Sequence, residues 1–171
     1  PFTFPHFNGY INLQSFNLWN GISNVIPAFK IRAAYGKAGI QPGPFDRYPV
    51  LNLQPTGNEN TYTNQNAQKN PNLDVEVSSE KEIGTDLSFH MGNGSWLRTA
   101  NVSFTYWQRQ TDNAIFYQNV PPSTGGTQLL TNAIALSSKG WQLAINIPIY
   151  TSPDLTWDIT ANFGHQSSII E

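Results

Sequence analysis

From Trp141 to Ile149 every second residue is apolar: Trp141, Leu143, Ile145, Ile147 and Ile149, with Gln142, Ala144 and Asn146 between them. A period of two is the side-chain repeat of an extended strand with one greasy face and one polar face. Leu155, Trp157, Ile159, Ala161 and Phe163 repeat the pattern against Thr156, Asp158, Thr160, Asn162 and Gly164, and Thr151-Ser-Pro-Asp154 supplies the turn between the two strands. The same alternation recurs upstream. Phe7, Gly9, Ile11 and Leu13 alternate with Asn8, Tyr10 and Asn12. Phe29, Ile31, Ala33 and Tyr35 alternate with Lys30, Arg32, Ala34 and Gly36. Ile83, Thr85, Leu87, Phe89 and Met91 oppose Glu82, Gly84, Asp86, Ser88 and His90, and Ala100, Val102, Phe104 and Tyr106 oppose Asn101, Ser103, Thr105 and Trp107. The chain is predicted to be all-β, with strands at about 5–14, 28–36, 80–91, 97–110, 139–150 and 155–167.

The connections alternate in length. Residues 20–27, 92–95 and 151–154 are short, whereas 37–78 and 112–137 are long, rich in Pro, Gly, Asn and Gln, and without period. In an antiparallel meander all short turns fall at one end and all long loops at the other, the asymmetry of an outer-membrane barrel with extracellular loops. Strands of about 9–11 residues suffice to cross a bilayer when tilted. The apolar face then meets lipid and the polar face a lumen. Lipid tolerates no open sheet edge, and six strands fall short of the roughly eight of the smallest barrels. The expected fold is therefore an antiparallel meander forming an arc of a larger barrel, completed by strands outside these residues.

Composition sharpens this picture. Charged residues are only 12% and aromatics 13%, which suits polar strands with aromatic rims better than a salted soluble surface. Trp96, Tyr150 and Trp157 fall beside short turns, and Tyr35, Tyr106, Trp141 and Phe163 at the opposite ends, as expected of two interfacial girdles. Trp141 and Phe163 are expected to be near neighbours on the outward face. A net charge of −2 implies no affinity for nucleic acid, and zero cysteines exclude disulfides. No apolar run approaches the ~20 residues of a spanning helix.

Several segments resemble SusC/RagA-type TonB-dependent outer-membrane transporters. Phe29-Lys-Ile-Arg-Ala-Ala-Tyr-Gly-Lys-Ala-Gly39 is similar to their KxRaSYGxxG strand. Asn70-Pro-Asn-Leu73, followed by Glu76, Glu80, Glu82, Gly84 and Asp86, resembles an NPxLxxE…xxGxD stretch. Tyr106 to Asp112, Val120-Pro-Pro-Ser-Thr-Gly125, and Asn132 to Lys139-Gly-Trp141 resemble a YxxxTxD…vPxstG…N…xKGxE run, with Gln142 where the family usually has Glu. The likeness covers most of residues 26–168. It implies a barrel of about twenty-two strands, an N-terminal plug outside these residues through which TonB would act, a SusD-like surface lipoprotein as lid, and uptake of a large nutrient, glycan or peptide. It implies no cofactor and no catalytic residue.

The candidate site residues follow from the faces. Lys30 and Arg32 lie on the polar face of one strand, and Glu82 and Asp86 on that of another; the strands around the first long loop are expected to pair, and the register that the resemblance implies brings Arg32 to Glu82 and Lys30 to Asp86. They are candidates for a lumen-facing cluster touching substrate or plug, although a structural cross-strand ion pair of under ~1 kcal/mol is the simpler expectation. Tyr48, Tyr62, Phe116 and Tyr117 fall in or near the long loops and are candidates for contact with substrate or lid; the simpler expectation is that they pack the loops together. His6, His90 and His165 show no ligand spacing, so no metal is expected. The acidic residues sit on repeated strands without a cleft, which argues against a glycosidase. The competing class is a secreted or cell-surface β-sheet glycan-binding module, which would dissolve without detergent.

Overall fold

The computed structural model describes residues 3–171. Its strands are β1 (His6–Asn12), β2 (Ala28–Ile40), β3 (Leu51–Thr56), β4 (Glu59–Asn64), β5 (Ala67–Gln68), β6 (Glu76–His90), β7 (Thr99–Asn119), β8 (Gln128–Thr151) and β9 (Thr156–Ile170). β1, β2, β6, β7, β8 and β9 are neighbours in chain order within one sheet, an antiparallel meander. β3 and β4 form a separate hairpin, and β5 adds a two-residue parallel pair, Ala67 opposite Gln128 and Gln68 opposite Leu129.

The strands form where the alternation predicts them, and the pairing keeps like faces together. On β1 and β2, Phe7 faces Tyr35 and Ile11 faces Ile31, while Tyr10 faces Arg32 and Asn12 faces Lys30. Among the described residues the apolar side of this sheet has no second layer behind it. Phe7, Ile11, Ile83, Trp157, Ile159 and Phe163 are each half or more exposed. Rings gather near the short turns, where Trp96 bridges to Tyr150 with ring centroids 4.8 Å apart. Trp141 stacks on Phe104 of β7 with ring centroids 6.5 Å apart.

The long connections differ most from expectation. β7 runs to Asn119 and β8 starts at Gln128, so the loop expected over 112–137 shrinks to 120–127. Within β7, Asn113 has a left-handed φ of 56°. A residue in that conformation inside a strand pushes the following side chains out of step, which erases a period-two signal without ending the strand. The connection expected over 37–78 is also partly strand: β2 extends to Ile40, β6 starts at Glu76, and the β3–β4 hairpin fills the middle. Gly57, at φ 65°, makes the hairpin turn that β-branched residues would resist. At 13 to 24 residues, β2, β6, β7 and β8 exceed the roughly 9–11 residues that cross a bilayer.

The described residues form two compact units. One holds the chain up to Lys37, with Ser79–Arg109 and Ser138–Ile169; the other holds Ala38–Ser78, Gln110–Ser137 and Ile170–Glu171. In the first unit Ala100 is the buried apolar residue, and the wall is a single sheet. The second unit has a small closed core of Leu73, Val75, Ala114 and Leu130 beside the buried Thr111. Thr111 pairs with Ser78 at 3.1 Å. Two side chains close that core around the irregular Asn113. The Asn132 amide accepts from Asp74 N (2.8 Å) and donates to the carbonyls of Asp74 (3.1 Å) and Asn113 (2.7 Å). The Glu76 carboxylate accepts from Ile115 N at 3.0 Å. Backbone groups that the bulge takes out of the ladder thus find side-chain partners.

Candidate functional site

The polar face of the first unit carries a charge network built on β2, β6 and β7. Arg32 donates to Glu82 through Nη1 and to Thr105 through Nη2, and its Nε lies 3.5 Å from Asp86. Asp86 also accepts from Ser103 Oγ at 2.7 Å and lies 3.8 Å from Lys30, whose ammonium sits 5.0 Å from the Tyr10 ring centre. Lys30, Arg32, Glu82 and Asp86 are therefore brought together on one face, in the pairing expected from the register that the resemblance implies.

Thr105 and Gly84 complete the network, and neither is obvious in the sequence. Arg32 can reach β7 only by crossing β6. It does so over Gly84, where a Cβ would lie 2.8 Å from the Arg32 Cζ and 3.0 Å from Nε and Nη2. The missing side chain is what makes the three-strand span possible. A glycine inside a strand is the available signal, since it marks a close approach. Further along the face, Arg109 Nη2 and Nε reach one oxygen of Glu80 at 2.6 and 2.7 Å, and its guanidinium lies 5.9 Å from the Trp107 ring centre. Lys30, Arg32 and Arg109 are matched by Glu80, Glu82 and Asp86, so this network carries no net charge.

The second unit holds a separate ion pair. Asp46 accepts from Lys69 Nζ at 2.7 Å and from Gly43 N at 2.9 Å, while Asn70 N donates to the Asp46 carbonyl at 3.1 Å. The Lys69 hydrogen bond holds the Asp46 carboxyl below its usual range, and the same bond holds the Lys69 ammonium above its own. Both ends of the excursion that carries the β3–β4 hairpin are thus tied together at its base. Tyr48 and Tyr62 are 63% and 72% exposed and Tyr117 is also exposed, which corrects the expectation that these rings pack the loops together; Phe116 is half-buried. Tyr62 stands on β4, and Phe116 and Tyr117 on β7, rather than in loops. Among the described residues no group of His, Asp and Glu could hold a metal ion.

Residues 3–169 match the family model described as TonB dependent receptor-like, beta-barrel. The chain belongs to that family. Its barrels lie in the outer membrane and serve transport rather than catalysis. TonB-dependent receptor P26 of Formosa agariphila is 28% identical over 135 residues, covering 77% of this chain and 13% of that receptor. TonB-dependent receptor P3 of the same organism is 27% identical over 154 residues, or 85% and 14%. The chain spans about one seventh of the length of these curated relatives. A solved structure of the RagAB peptide transporter superposes with a TM-score of 0.81 at 18% identity, covering 98% of this chain and 18% of that one. The receptor wall thus shares the fold of a RagA-like barrel segment.

Proposed function

We propose that these residues form wall and outer segments of a TonB-dependent importer that carries a large nutrient, oligosaccharide or peptide, across the bacterial outer membrane. In this reading they are one arc of a barrel of about twenty-two strands. The polar face with Lys30, Arg32, Glu82 and Asp86 looks into the lumen, and the long β7 and β8 rise above the membrane. A SusD-like lipoprotein covers the outer opening, and TonB pulls on a plug domain carried elsewhere in the receptor. The RagAB likeness supports the two-component arrangement, because that transporter is named for two parts and for peptides. The observation that carries the reading is the sheet's uncovered apolar side, with Phe7, Ile11, Ile83, Ile159 and Phe163 at 50–67% exposure. Leaving that side in water costs about 25 cal/mol for each Å² of apolar surface. A secreted glycan-binding module would need a second layer there.

Uptake in the source bacterium tests the proposal. Deleting the full-length receptor is expected to abolish uptake of one class of labelled oligosaccharide or peptide. Restoring it should recover uptake only while the proton gradient and TonB are intact. Uptake indifferent to TonB, or a full-length protein that leaves the membrane fraction without detergent, overturns it.

A further inference from the structure

We infer that the polar face carries an oligosaccharide subsite built on Trp107, Gln142 and Gln166. It rests on the proposed function only in taking the polar face as the one that cargo passes. The subsite is a cavity of about 240 Å³ bordered by Trp107, Gln142, Gly164, Gln166 and the chain at Trp141 and His165. Gly164 makes its floor, and Gly140 lies beneath the Trp107 indole. A Cβ on Gly140 would meet the Trp107 ring at 2.8 and 2.9 Å, so the indole lies against bare backbone. A Cβ on Gly164 would have the Trp141 carbonyl at 3.5 Å and the Gln142 Cγ at 3.9 Å as its nearest atoms, so the floor there is open.

Three observations point to sugar. First, the half-buried Trp107 is an aromatic on the polar face, where its alternation partners are Asn101, Ser103, Thr105 and Arg109. Second, the amides beside it are exposed and make no side-chain hydrogen bond among the described residues, whereas several polar groups elsewhere on the face pair with one another: Ser103 with Asp86, Ser88 with Asn101, Asn146 with Thr160, Ser138 with Ser168. A larger concavity of about 360 Å³ on the same face is lined by several of those paired groups, Lys30, Asp86, Ser88, Asn101, Ser103, Asn146 and Thr160 among them. Third, no ionised side chain lines the 240 Å³ cavity, and the nearby Arg109 is held by Glu80.

A pyranose matches each feature. Its axial C–H bonds give an apolar face for an indole, and its equatorial hydroxyls both donate and accept, as a carboxamide does. The glycine floor leaves room for the ring to lie flat. A peptide backbone would bring amide groups but no flat apolar face of that size, and charged termini would find no partner here.

The test uses the detergent-solubilised full-length receptor. Binding of three neutral hexasaccharides (an α-glucan, a β-glucan and a β-mannan) and of an end-blocked alanine hexapeptide is measured by calorimetry. At least one hexasaccharide is expected to bind. Gln142→Leu and Gln166→Leu should each weaken it about tenfold, the size of one lost hydrogen bond of about 1.4 kcal/mol. Trp107→Phe, which keeps a ring over Gly140, should weaken it less than Trp107→Leu. Both glutamines are exposed, so the melting temperature should stay put. Failure of all three hexasaccharides to bind, saccharide affinity that ignores both Leu variants, or peptide binding with the same dependence overturns the subsite. TonB-dependent uptake by a parent receptor that binds none of the three hexasaccharides would sink this inference and leave the importer standing.

Discussion

Adding one methyl group at Gly140 should measurably weaken the wall. A Cβ there would lie 2.6 Å from the His165 carbonyl oxygen on β9 and 2.8 Å from the nearest Trp107 ring carbon on β7. Ordinary contact begins near 3.4 Å, so about 0.8 Å must open toward β9 and a little less toward β7. The carbonyl belongs to a strand backbone and cannot swing aside. Overpacking of this kind costs about 1–3 kcal/mol. Replacing a strand glycine by alanine returns about 0.5–1 kcal/mol through the unfolded chain, so Gly140→Ala should lose about 1–2 kcal/mol net. Gly9→Ala is the control, because nothing lies within 4 Å of its added Cβ, and it should be neutral or slightly stabilising. The assay is conversion of the folded to the unfolded band of the full-length receptor on semi-native gels across a temperature series. Gly140→Ala should convert several degrees below the parent, and Gly9→Ala with it. Equal conversion temperatures for the two variants would refute the close-approach argument.

Gly84→Ala should behave differently, because the near atoms are the mobile end of Arg32. The guanidinium swings off Glu82 and Thr105, at a cost of about 1 kcal/mol for a network roughly a third exposed to solvent; in an Arg32→Ala background the same substitution should cost nothing, which a double-mutant cycle checks. Asn132→Leu strands Asp74 N and two carbonyls and should cost about 1–3 kcal/mol, read as faster hydrogen exchange at Asp74 and Ile115. Asp46→Asn removes the latch under the β3–β4 hairpin and should speed tryptic cleavage after the exposed Arg47 severalfold, with Lys69→Met doing the same. The latch also has a pH window. Asp46 titrates below 3.8, so its contribution is whole above that value and fades as pH falls through the lowered one; Lys69 titrates above 10.5, so its contribution is whole below that value and fades as pH rises through the raised one. Hydrogen exchange in residues 47–68 should therefore rise beyond the intrinsic pH trend at both extremes and not between.

Alternation along the chain was enough to place the wall strands and to say which side of each is oily, while the pairing of Arg32 with Glu82 needed the register that the family resemblance implies. A period of two is a local property, written by the pleat itself, so neighbouring residues suffice to reveal it. Alternation failed where local order was broken on purpose. Asn113 shifts the phase of β7, and the strand beyond it reads as loop although it pairs with a neighbour. The motif residues Asn70 to Leu73, Glu76 and Asn132 stand out in the sequence, but their work, closing a small core around that bulge, depends on segments dozens of residues apart. The same holds for Arg32 reaching Thr105 across Gly84 and for Trp107 lying over Gly140. Each needs three strands side by side, and which strands become neighbours is decided by the closing of the sheet, where the free energy of pairing backbone and burying faces is summed over the whole wall.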